Sequence, residues 1–173
     1  MLPGSVVNLL ALGILCPLFA DYLHFLFYTF NVPRHIMHTI YQAGPLFTQA
    51  EQAWHKALSA RLLDAGHKVI WPGDLLTDEQ VKEAGANATS LIFNACKQGL
   101  EGCSCVVALL DGTQVDDGTA WEIGYAHAKG LPVYGIRTDF RHAGETQHST
   151  VNSMIEGCLA GLARSVEELL AVL

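Results

Sequence analysis

The chain is predicted to fold as an α/β protein with a doubly wound parallel sheet, and three features carry that expectation. From His38 onward, short β-branched or apolar runs alternate with segments of helical period, the order that strand-helix-strand units produce. Glycine or proline stands at the joints, at Gly66, Pro72-Gly73 and Gly130-Leu131-Pro132, where the chain must turn. The run Cys105–Leu110 is apolar throughout, as a central strand covered on both faces requires.

Taken in order, Thr39–Ala43 reads as the first strand. Gln49–Ala65 reads as a helix whose inward face holds Ala53, Trp54, Ala57, Leu58 and Leu62, closed by Gly66. Lys68–Trp71 is the second strand, stopped by Pro72-Gly73. Thr77 followed by Gln80 is a capping-box start, and the helix it opens is expected to reach about Leu100. After the third strand, a polar loop leads into a helix over about Asp117–Lys129. Val133–Ile136 is the fourth strand, and Ser165 with Glu168 opens a C-terminal helix. In such sheets ligands bind beyond the carboxyl ends of the strands. The chemistry is therefore expected in three loops, after Ala43, after Leu110 and after Ile136.

Composition narrows the function. A length of 173 residues suits one domain with one sizeable core. Lys and Arg number 10 against 17 Asp and Glu, a net charge of -7 with a pI near 5.5. Without a cationic cluster to neutralise phosphates, a DNA or RNA partner is disfavoured. The cysteines at 16, 96, 103, 105 and 158 are odd in number and sit in apolar or helical contexts, which suits free thiols in a reducing compartment such as the cytoplasm. Cys103-Ser104-Cys105 and Cys96 lack the CxxC and His spacing of a metal site, and neither metal nor cofactor is expected.

Residues 1–36 stand apart from the catalytic domain assigned to 37–173. Their formal charges are Asp21 and Arg34, and they are almost unbroken apolar sequence from Val6 to Phe30. A secretory signal would need a basic start that Met1 to Asn8 lack. A membrane anchor through residues 5–30 would have to tolerate Asn8, Pro17, Asp21 and His24. The favoured reading is an upstream extension of a protein that starts naturally at Met37, expected to be helical and to pack poorly on the domain. A membrane or partner-binding helix, and a segment packed on the domain, stay open.

Asp111, Asp116, Asp117 and Glu122 place four carboxylates within twelve residues, at a strand end and a helix start. A carboxylate in the first helical turn feels the positive end of the macrodipole, which favours its ionised form and suits a nucleophile or base. Glu122 is assigned that position. Thr119 and Glu122 equally satisfy a capping box, and spacing alone favours the cap. Asp111 and Asp117 read as turn and cap residues, and Gly112 and Gly118 as tight-turn glycines.

The segments Ile40-Tyr41-Gln42-Ala43-Gly44-Pro45-Leu46-Phe47, Asp116-Asp117-Gly118-Thr119-Ala120-Trp121-Glu122-Ile123-Gly124-Tyr125-Ala126 and Asn152-Ser153-Met154 together resemble the nucleoside 2-deoxyribosyltransferase family. The resemblance spans about residues 38–160. It implies a flavodoxin-like (Rossmann-like) fold and transfer of 2-deoxyribose from a deoxynucleoside donor to a free nucleobase acceptor, through a covalent glycosyl-enzyme. By motif, it implies that Glu122 is the nucleophile, Asp116 manages the base's proton, and Tyr41 holds Glu122. Gly44, Phe47, Trp71 and Gly118 would bind substrate. Asn152 and Met154 would reach a neighbouring subunit's site in a homo-oligomer. The aromatics Tyr41, Phe47, Trp71 and Trp121 can supply the apolar wall that excludes water. Cys96 stands where the family often has Asp or Asn, and Ser153 where it has an apolar residue. His127, five residues past Glu122, reads as surface.

Arg137 and Arg141, after the fourth strand, support a second reading. Two guanidinium groups at a strand end can grip a phosphate, which would make the chain a 2'-deoxynucleoside 5'-monophosphate N-glycosidase. Against it, Ala43-Gly44-Pro45-Leu46-Phe47-Thr48 offers no Ser- and Arg-rich grip. Alternatively the arginines pair with Asp139, Glu145 or Glu156 to hold their own loop. A non-catalytic sensor of a nucleotide-derived ligand is a third possibility, opposed by the intact Tyr41, Asp116 and Glu122.

Overall fold

A computed structural model describes residues 36–173. The expectations for residues 1–35, including a leader helix, lie outside the described residues. Among the described residues, no helix is long and apolar enough to cross a membrane.

Five parallel strands form one sheet: β1 (Thr39–Ala43), β2 (Lys68–Ile70), β3 (Cys105–Leu109), β4 (Val133–Ile136) and β5 (Gly161–Ala163), in the order β2-β1-β3-β4-β5. This is the flavodoxin-like order, whose direction of winding reverses between β1 and β3. Tyr41 registers against Ile70 on one side and Val106 on the other, so the first strand leads straight to the reversal point.

Period-2 alternation divides the strands' side chains between two cores. Tyr41, Ala43, Val106 and Ala108 join one, with Leu100, Ile123 and Ala126 from the helices above it. Ile40, Cys105, Val107 and Leu109 join the other, with Leu58, Leu62 and Leu169. Every residue of β3 is buried, as its unbroken apolar sequence predicts.

Local sequence starts the helices. Thr48 and Glu51 form a reciprocal capping box for α1 (Gln49–Asp64), and Thr77 with Gln80 does the same for α2 (Asp78–Ala84). The buried stripe of α1 is His55, Leu58 and Leu62; Ala53 and Ala57, expected on it, are exposed, because the large His55 ring turns inward instead. The single helix expected from Thr77 to Leu100 is two. Gly85 adopts φ 52, a left-handed conformation that glycine adopts freely, and a short 3-10 turn separates α2 from α3 (Ala88–Glu101).

After β3 come α4 (Asp117–Ala128), the one-turn α5 (Ser153–Glu156), and α6 (Val166–Val172) capped by Ser165. Neither α5 nor β5 is visible in the sequence pattern. One turn has no period to detect, and Gly161-Leu162-Ala163 lacks β-branched residues; it is a strand because β4 supplies its partners.

Candidate active site

The C-terminal ends of β1, β2 and β3 surround a cleft of about 570 Å³. Gly44 and Phe47 enter it from the loop after β1, and Trp71, Pro72 and Asp74 from the loop after β2. Cys96 and Ile92 come from α3, and Asp116, Gly118 and Glu122 from the start of α4. The loop after β4, expected to contribute, contributes nothing to this cleft. The loop after β2 takes its place with Asp74, followed by Asp78 at the start of α2, and both were legible only through the general rule that ligands sit at strand ends.

Tyr41 is fully buried beneath the cleft, and its hydroxyl donates to Glu122 Oε1 at 2.5 Å. Asp116, not Thr119, is the N-cap of α4: its Oδ2 accepts from the Thr119 backbone N–H and hydroxyl, both at 2.9 Å. Glu122 therefore lies in the second turn, makes no capping box, and is free to face the cleft. The proton affinity runs opposite to the macrodipole expectation. Burial pushes the Glu122 carboxyl up to about 7, the Tyr41 hydrogen bond opposes that rise, and the Asp116 charge adds to it. Desolvation outweighs a helix dipole that weakens beyond the first turn.

Gly44 lets the chain pass over a buried histidine: a Cβ there would lie 2.5 Å from His55 Cε1. His55 Nδ1 meets the Gln42 amide at 2.7 Å, Ser59 donates to Gln42 Oε1 at 3.0 Å, and the imidazole stacks on Trp71 with ring centroids 5.8 Å apart. Burial lowers the His55 pKa. This support beneath the cleft wall has no sequence signature, since His55 is simply one polar residue within a helix.

Other expected residues lie elsewhere. Trp121 points away from the cleft, stacked on Tyr125 and edge-on to Phe93. Asn152 caps α5 through Met154 N–H at 3.0 Å and donates to Glu145. Met154 is 78% exposed, and neither residue lines the cleft of its own chain. Arg137 is 1% exposed and spends its guanidinium on the carbonyls of Leu110, Gly112 and Arg141. Arg141 pairs with Asp139. Glu145 and Glu156, other candidate partners, instead accept from Asn152 and Ser153 and from Thr150 and Val151. The arginines hold their loop. Asp111 joins them by accepting from Thr138 and Asp139 backbone N–H groups at 2.6 and 2.9 Å.

Fold and cleft define a doubly wound α/β protein with a carboxyl-centred site at the strand reversal. Residues 40–154 match the nucleoside 2-deoxyribosyltransferase family, and the chain belongs to it. Membership makes this a nucleoside-processing enzyme. A conserved protein from Enterococcus faecalis V583 is 30% identical, with 79% of this chain and 96% of that one covered and a TM-score of 0.64. A 2-deoxyribosyltransferase from Bacillus psychrosaccharolyticus is 22% identical, with 76% and 90% covered and the same TM-score of 0.64. No curated protein matches the sequence.

Proposed function

We propose that the protein transfers 2-deoxyribose between nucleobases through a covalent intermediate on Glu122, with retention at C1'. The observation that carries this reading is the Tyr41–Glu122 hydrogen bond in a cleft that also holds Asp116. In the first step the ionised Glu122 carboxylate bonds to C1' as the C1'–N bond breaks, and a proton taken up from water passes through the Asp116 carboxyl group to the departing base. In the second, a nitrogen of the acceptor base bonds to C1', the Glu122 ester bond breaks, and Asp116 recovers a proton. Asp116 Oδ2 is taken by Thr119, which leaves Oδ1 for the base. Two displacements retain the anomeric configuration. Phe47 and Trp71 supply apolar wall that favours base over water.

An unphosphorylated nucleoside suits the cleft better than a nucleotide. Asp74, Asp78, Asp116 and Glu122 line it against one cation, Lys56, and Arg137 and Arg141 are committed to their own loop. The monophosphate N-glycosidase reading thus loses the phosphate grip that motivated it. We further propose a homo-oligomer of symmetric dimers in which Asn152 and Met154 complete a neighbour's site, a reading supported by their position off their own cleft.

Incubation with a purine or pyrimidine deoxynucleoside and a different free base tests the reaction. A new deoxynucleoside supports the transferase, release of base alone supports a hydrolase, and neither product supports a binding protein.

A further inference from the structure

Gly99 lies inside α3, where glycine weakens a helix relative to alanine. Its surroundings explain the choice. A Cβ at Gly99 would stand 3.0 Å from Tyr41 Cε2, 3.3 Å from Tyr41 Cδ2 and 3.1 Å from Ile70 Cγ2. The Tyr41 ring is fully buried in the same core as Val106, Ala108 and Ile123, so it has little room to retreat. Cys96 stands three residues earlier, on the same side of the helix. It lines the cleft beside Glu122.

We propose that α3 positions the nucleophile through Tyr41: Gly99 lets the helix pass close enough to seat the phenol ring, so that the O–H is presented to Glu122. The proposal rests on the reading of Glu122 as nucleophile and makes Gly99 a positioning residue. An ionised carboxylate gains from the Tyr41 hydrogen bond, and a protonated one does not. Displacing the ring therefore raises the proton affinity of Glu122, and the acid limb of the rate profile moves to higher pH.

The test compares wild type with Gly99→Ala, Tyr41→Phe and the double variants Gly99→Ala/Tyr41→Phe and Gly99→Ala/Ile70→Ala. The readouts are the pH profile of kcat/KM for base exchange and a carbon NMR titration of the Glu122 carboxyl. Tyr41→Phe should raise both midpoints by about one pH unit, and Gly99→Ala by roughly half as much. Gly99→Ala should add nothing in the Tyr41→Phe background, because its effect runs through the hydroxyl. A folded Gly99→Ala protein with unmoved midpoints, or one that adds its full shift to Tyr41→Phe, overturns the proposal. If Gly99→Ala does not fold, Gly99→Ala/Ile70→Ala, which removes the Ile70 Cγ2 contact and keeps the one to Tyr41, decides, and an unmoved midpoint there overturns it equally. A wild type that neither exchanges nor releases base refutes the catalytic reading of Glu122 instead, and the NMR titration still decides the positioning.

Discussion

The Tyr41 hydroxyl and Glu122 Oε1 meet at 2.5 Å although 81 residues separate them in the chain. One sits on the first strand of the sheet and the other on the helix after the third, and the parallel pairing of β1 with β3 brings them together. The contact opposes the rise in proton affinity that burial imposes on Glu122. A carboxyl group kept partly ionised near neutral pH, in a cleft with a second carboxyl group, is the chemical core of the proposed reaction.

Replacing Glu122 with Gln should abolish transfer, by about 10³-fold or more, while the amide oxygen still accepts from Tyr41 and the fold persists. Mass spectrometry of denatured wild type after incubation with a deoxynucleoside should show a deoxyribosyl adduct on the Glu122 peptide. Retained activity in the variant would sink the assignment.

The proton affinity of Glu122 sets a pH dependence for rate and another for stability. With its pKa raised from 4.5 to about 7, the nucleophile is ionised only above that point, and kcat/KM should fall as pH drops below about 7. Between 4.5 and 7 the folded carboxyl keeps a proton that the unfolded chain has lost, so this group's contribution to stability declines as pH rises through that window. Glu122→Gln should then be more stable than wild type at pH 8, by about 1–3 kcal/mol, and equal to it at pH 4.5. Urea melts at the two pH values measure the difference; a gap that does not depend on pH contradicts it.

Arg137 should prove structural. Met in its place leaves the carbonyls of Leu110, Gly112 and Arg141 without their donor, and the loss should be about 3 kcal/mol in chemical denaturation. Lys should rescue only part of it, because its single nitrogen cannot stand in both places that Nη1 and Nη2 occupy, one at Leu110 O and the other at Gly112 O and Arg141 O. Inorganic phosphate should not raise the melting temperature of wild type; stabilisation by phosphate would revive the nucleotide reading.

Mixing Glu122→Gln protein with Asn152→Ala protein, each nearly inactive, should restore some exchange, since a hybrid dimer holds one site with both residues intact. Demonstrated subunit exchange without any return of activity, or an active species that sediments as a monomer, would place the action of Asn152 within its own chain.

A chain beginning at Met37 should fold and exchange bases as fast as the full chain, since the residues that line the cleft lie between Gly44 and Glu122, with Tyr41 beneath them. Loss of folding on truncation, or stable partition of the full chain into membranes, would show that residues 1–36 belong to the working protein.

Much of this molecule was legible in the sequence, because the signals are local. Alternating elements, capping pairs such as Thr48 with Glu51 and Thr77 with Gln80, and the apolar β3 run determined the order of the main strands and helices and the parallel sheet. The family resemblance of the segments around Tyr41 and Asp116 to Glu122, where spacing alone favoured a helix cap, pointed to the carboxyl cleft. The tertiary structure alone decided what depends on a residue's neighbours. It chose the loop after β2 over the loop after β4, buried Arg137 among carbonyls, broke the second long helix at Gly85, and made a strand of Gly161–Ala163 by placing it beside β4. It also reversed the expected proton affinity of Glu122. Desolvation depends on everything packed around a group and a helix dipole on its nearest turn, so local sequence could suggest the dipole's effect but not the larger effect of burial.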